Sequence, residues 1–159
     1  MVAGNFSDEF TTSIPPKRFW GAAIVDAHNI VPKIAPQYIA SVEVQGDGGA
    51  GTTKIMKFGS AVKEFAEVKN VVDVLDAENF VYKYHVVGGK KFETLAIGIK
   101  LEASADGGSV CKVSGEYSTV GDYVPTEDEI KVAREGPVTL LKAVESYLLA
   151  KPEAYASPN

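Results

Sequence analysis

Two periods divide the chain. Between Tyr38 and Tyr117 apolar positions recur every second residue, and between Ile130 and Leu148 they recur at helical spacing. In the first region Phe80, Tyr82, Tyr84 and Val86 share one face of a strand. Leu95, Ile97, Ile99 and Leu101 share a face of the next, and Cys111, Val113, Gly115 and Tyr117 a face of the last. Gly88-Gly89 and Asp106-Gly107-Gly108 read as hairpin turns between them. An earlier strand is expected over Phe6–Thr12. Pro15-Pro16 ends it and starts a short helix with Phe19, Ala22, Ala23 and Asp26 at helical spacing. Pro32 and Pro36 punctuate a second short helix. The pattern gives about seven strands in an antiparallel meander.

The final period is a long amphipathic helix. Its stripe is Ile130, Ala133, Pro137, Leu140, Leu141, Val144, Tyr147 and Leu148. Thr126 and Glu129 have capping-box spacing, with Glu127 and Asp128 in the first turn. Gly136-Pro137 is expected to bend the helix, because proline lacks a backbone donor. Pro152 ends it, leaving residues 153–159 as an expected flexible tail. One such helix must cover one sheet, so residues 1–159 form a single α+β domain. A strongly bent sheet around the helix could enclose a space.

Gly46-Asp47-Gly48-Gly49-Ala50-Gly51 fits the spacing G-x-G-x-x-G of a dinucleotide site. That site needs a helix after the loop to hold phosphate. Here Thr52–Phe58 alternates as a strand does, so the loop is expected to be a glycine-rich hairpin tip. Thr52 also stands where a phosphate-binding loop has its lysine.

Composition narrows the classes. At 159 residues the chain can bury one good core. A formal net charge of -5 opposes non-specific binding to nucleic acid or to anionic membranes. No apolar run approaches the ~20 residues that span a bilayer, and the start shows no secretory pattern. Cys111 is the only cysteine, so no intrachain disulfide forms, which favours a reducing compartment. His28 and His85 have no metal-binding spacing, and no Gly-x-Ser-x-Gly elbow is present. No metal, cofactor or catalytic constellation is read from these residues.

The segment Leu140–Ala150 resembles the terminal helix of the pathogenesis-related class ten family, the plant family of the major birch-pollen allergen. Val31–Gln37, Gly46–Gly51 and Asp106–Ser109 continue the likeness in the same order. The resemblance implies a helix-grip fold: a curved, seven-stranded antiparallel sheet around a long C-terminal helix, with two short helices between the first two strands. It also implies a large cavity for apolar or amphipathic plant metabolites or hormones, such as cytokinins, flavonoids and steroid-like molecules. Carriage of such a ligand in defence or stress is the expected function. The expected location is the cytoplasm, with access to the nucleus, and the expected state is a monomer, with a dimer left open.

By the same likeness Tyr82 and Tyr84 face ligand, where a phenol offers an apolar ring and an orienting hydroxyl. Lys54, Phe58, Asn29 and Tyr117 occupy further matched positions. His28 stands where an acid is usual, and Ala133, Leu140 and Leu141 would line the helix side. Core packing is the competing reading for the tyrosines and leucines. Ala23 replaces a bulky aromatic, Glu67 and Val71 replace an aromatic and a basic residue, and the strand around Leu95 reads as shortened.

Two enzymatic alternatives follow from described relatives. A ribonuclease would draw on the glycine loop, Glu145, Tyr147 and Lys54, with Glu93 an ambiguous third acid. An alkaloid-type condensation catalyst would need a cavity lysine, which Lys100 and Lys112 do not clearly match. A hormone receptor that inhibits a phosphatase is disfavoured, because Phe58–Val62 and Val87–Lys91 lack that class's gate and latch motifs.

Overall fold

The computed structural model describes residues 2–63 and 66–156. In chain order the elements are β1 (Ala3–Thr12), α1 (Pro16–Trp20), a π turn (Gly21–Val25), α2 (Ala27–Ile34), β2 (Ile39–Gln45), β3 (Thr53–Phe58), β4 (Glu67–Asp76), β5 (Val81–Val87), β6 (Phe92–Ala103), β7 (Ser109–Thr119) and α3 (Glu127–Ala150). The seven strands make one sheet in the order β1-β7-β6-β5-β4-β3-β2. Every described pairing is antiparallel. The expected meander therefore holds from β2 to β7. β1 departs from it, because the helical segment carries the chain from one edge of the sheet to the other.

Register places whole rows of side chains on the face toward α3. Tyr84 lies opposite Ile97, Ile97 opposite Gly115, and Gly115 opposite Phe6. Gly115 has to be glycine here: a Cβ would sit 2.2 Å from the Phe6 ring that crosses it. Register shifts interrupt β2 between Ile39 and Ser41, β4 between Val72 and Val74, and β6 between Phe92 and Thr94. Such bulges sharpen twist and bend, which lets a single sheet curl around a helix.

Two strand expectations change. The strand around Leu95, expected to be short, is the longest at 12 residues. Phe80, expected as the first residue of its strand, sits in the preceding turn with φ 55. Its ring still reaches the core, edge-on to Trp20 at 5.7 Å.

α3 starts on the expected capping box. The Glu129 N–H donates to Thr126 Oγ1 at 3.1 Å, and the Thr126 N–H to Glu129 Oε1 at 3.0 Å. The helix runs without interruption through Pro137. Its last turn has no basic residue, and Arg18 of α1 supplies one. Arg18 donates to the carbonyls of Leu148 at 2.8 Å, Lys151 at 2.7 Å and Ala154 at 2.8 Å. Within the segment expected to be loose, Pro152–Tyr155 forms a turn, and the Tyr155 hydroxyl donates to Asp26. Residues 157–159 lie outside the described residues. The core joins Phe19, Trp20 and Ile24 to the sheet residues Tyr82, Ile97, Ile99 and Val113, and to Leu141, Val144 and Leu148 of α3.

Candidate functional site

α3 is buried unevenly. Leu141, Val144 and Leu148, its fully buried residues, all lie in its second half. Ala133, Pro137 and Leu140 belong to the same apolar stripe yet stay half-buried. An amphipathic helix packed tightly on a sheet would hide that stripe along its whole length. The C-terminal half thus closes the core, while the N-terminal half of the stripe keeps accessible surface.

Opposite, β3 and β5 place polar groups on an otherwise apolar face. Alternation sends Lys54, Met56 and Phe58 of β3, and Tyr82, Tyr84 and Val86 of β5, to the same side. Tyr82 is 6% exposed and its ring lies 5.4 Å from that of Tyr84. Lys54 Nζ stands 5.0 Å from the centroid of the Tyr82 ring, a cation–π contact. No hydrogen bond or ion pair joins Lys54 Nζ or either hydroxyl to another described residue. Among the described residues Trp20 Nε1 and Asn70 Oδ1 are buried without a partner, while Glu129 Oε2, also buried, meets Lys91 Nζ at 3.3 Å. Lys54 Nζ and the two hydroxyls thus share the inner face of β3 and β5 with no hydrogen-bond partner among the described residues.

Electrostatics describe that face. Burial pushes the Tyr82 hydroxyl up to about 12. Burial, and then the neighbouring Tyr82, push Tyr84 up further. Burial alone lowers Lys54, and no charged partner contributes. Tyr84 keeps accessible area and is nevertheless strongly desolvated. The arrangement offers two neutral phenols and one ammonium to whatever occupies it.

A separate groove of about 730 Å³ runs between β1 and α3. Asp8, Phe10, Ile130, Arg134, Val138 and Lys142 are among its lining residues, and none of Lys54, Tyr82 and Tyr84 is. Arg134 spans it to Asp8, through Nε to Oδ2 at 2.9 Å and Nη2 to Oδ1 at 3.1 Å. Lys142 lies over the Phe10 ring at 5.4 Å.

The other expected site residues scatter. Phe58, Leu140 and Ala133 are half-buried and pack on the core, and Leu141 is within it. Tyr117 packs edge-on to Phe92 at 5.8 Å, with its hydroxyl over Gly4. Asn29 is exposed on α2 and donates to Asp26 Oδ1 at 2.6 Å; His28 is half-buried beside it. Cys111 is fully buried, its thiol pushed up to about 12 by burial and then by Glu145.

Three donors of the glycine loop are engaged within the fold. Gly48 N–H donates to Thr52 Oγ1 at 2.9 Å, Gly49 N–H to Asp47 Oδ1 at 2.9 Å, and Gly51 N–H to the Val72 carbonyl at 2.8 Å. Gly46, Gly48 and Gly51 have positive φ, as a tight hairpin requires. β3 follows the loop rather than a helix.

These features coincide with one known family. The chain matches the model of the pathogenesis-related protein Bet v 1 family over residues 1–151. The chain belongs to that family. The major strawberry allergen Fra a 1.08 of Fragaria ananassa is 43% identical over 160 aligned positions, covering 98% of this chain and 99% of the relative. The major allergen Pru ar 1 of Prunus armeniaca is 42% identical with the same coverage. Among solved structures, Ara h 8.0201 superposes with TM-score 0.83 at 30% identity, over 94% of this chain and all of the other. Norcoclaurine synthase from Thalictrum flavum, in complex with dopamine and hydroxybenzaldehyde, superposes with TM-score 0.73 at 20% identity, over 94% of this chain and 88% of the other. That likeness is one of fold alone. As in this Bet v 1 family fold, the sheet is curved and antiparallel and the long helix is C-terminal.

Asn70 was not singled out from sequence. It is 6% exposed on β4, directly opposite Lys54, and its Nδ2 approaches Met56 Sδ at 3.5 Å. The signal was an amide between Val68 and Val72 on the apolar face of a strand. No helix among the described residues is long and apolar enough to cross a membrane.

Proposed function

We propose that this chain binds and carries a small apolar or amphipathic molecule between the inner face of β3–β5 and the first half of α3. The supporting observation is the set of three desolvated polar groups without a hydrogen-bond partner among the described residues, Lys54 Nζ and the hydroxyls of Tyr82 and Tyr84, gathered on the inner face of β3 and β5. Buried polar groups ordinarily find partners, so groups held unpaired at an apolar wall suit a ligand that completes them. The ligand class is plant metabolites or hormones of cytokinin, flavonoid or steroid-like shape. The setting is the cytoplasm during defence or stress.

The ribonuclease alternative gains no support from the geometry. The glycine-loop donors are spent internally, and Glu145 acts on Cys111 rather than on Lys54. Displacement of a fluorescent apolar probe by cytokinins, flavonoids, steroids and alkaloid precursors tests the carrier reading. Saturable uptake and selective displacement are expected. A protein that takes up no probe overturns the reading.

A further inference from the structure

Among the described residues Lys54 is a cation without a counterion. Its Nζ lies over the Tyr82 ring at 5.0 Å, and no carboxylate of a described residue pairs with it. The one polar side chain directly opposite in register, Asn70, turns its Nδ2 to Met56, while its Oδ1 is sealed and unpaired. A partly buried ammonium facing an apolar wall is costly unless something supplies charge. The Tyr82 face offsets only part of that cost. Tyr82 and Tyr84 remain protonated at neutral pH and so act as donors, which an acceptor-only group would satisfy. One cation and two hydroxyl donors thus converge with no anion among them.

We infer that the cavity selects ligands carrying their own negative charge, with an aromatic or polycyclic apolar body and a carboxylate or acidic phenolate that reaches Lys54 Nζ and the tyrosine hydroxyls. This deepens the carrier reading and rests on it. A carboxylate would bring the counterion that the fold withholds, and its charge-assisted bond in a dry site would exceed what an uncharged isostere can make. Apolar bodies of equal shape would then be ranked by charge rather than by area.

The test is a matched pair, 2-naphthoate and 2-naphthamide, titrated into the wild-type protein and into Lys54→Met and Lys54→Arg. Wild type and Lys54→Arg are expected to prefer the acid by ~10–100-fold, the range of a charged hydrogen bond. Lys54→Met should lose that preference, with a thermal melt matching that of wild type showing that the variant is folded. Equal binding of acid and amide to wild type overturns the charge selection and leaves the carrier reading standing. Persistence of the preference in Lys54→Met overturns the assignment to Lys54. Failure of both compounds to bind wild type overturns this inference and the carrier reading together.

Discussion

Arg18 of α1 caps Leu148 of α3, its Nη2 donating to the Leu148 carbonyl at 2.8 Å. The same guanidinium reaches the carbonyls of Lys151 and Ala154, so one side chain ties off the end of a helix that has no basic residue of its own there. Unsatisfied carbonyls at a helix C-terminus carry partial negative charge, and a cation placed there satisfies both demands. Arg18→Ala is therefore expected to lower stability by about 2–3 kcal/mol. Urea titration measures it, and Arg18→Lys should recover only part, since an ammonium cannot fork. An unchanged midpoint in Arg18→Ala would show that the cap contributes nothing.

At the other end of α3, Glu129 makes stability depend on pH. Burial alone would raise its carboxyl. Hydrogen bonds from the Thr126 backbone, the Tyr123 hydroxyl, Lys91 and the Thr126 side chain overcome burial and bring it from 4.5 down to about 2. A depressed carboxyl contributes stability above its unfolded pKa and loses it as pH falls through the folded one. The loss should span pH 4.5 down to about 2. Glu129→Gln should be less stable than wild type at neutral pH, and the gap should close across that window in thermal melts. Because the network meets solvent, the contribution is small. A gap that persists at pH 2 would mean that the charge is not responsible.

Tyr82 and Tyr84 separate packing from recognition. Removing one hydroxyl leaves the ring in place, so Tyr82→Phe and Tyr84→Phe should melt with wild type. Affinity for an oxygen-bearing ligand should drop ~2–10-fold, the net worth of one hydrogen bond. Isothermal titration with a flavonoid reads the second effect. Unchanged affinity in both variants would return the tyrosines to the core.

The glycine loop should ignore nucleotides. With the Gly48, Gly49 and Gly51 donors engaged and the Asp47 carboxylate in the loop, a phosphate would lose those donors and meet negative charge. Equilibrium dialysis with ATP and NAD is expected to show no saturable binding. Binding that Gly48→Val abolishes would contradict this.

Periodicity exposed most of the fold because it reports which face is buried. Alternation located β3, β5, β6 and β7 and placed Tyr82 and Tyr84 on one side. Capping spacing at Thr126 and Glu129 located the start of α3. What escaped detection depends on partners distant in sequence. The register of β1 with β7 is one case. The Arg18 cap, 130 residues from Leu148, is another. The tie of Tyr155 to Asp26 is a third, since its partner cannot be read from a polar, proline-flanked tail. Lys54 was found through family likeness. Its lack of a counterion is visible only when neighbouring strands are in register. Asn29 followed the same likeness, but α2 turns it outward to Asp26.

The central claim is that the confined space beside Lys54, Tyr82 and Tyr84 takes a ligand. Displacement of a fluorescent apolar probe from the purified protein tests it most directly. The expected result is one probe per chain, released at micromolar concentration by one ligand class, with release weakened in Tyr84→Phe. A protein that takes up no probe, or releases it equally to every compound, would contradict the claim.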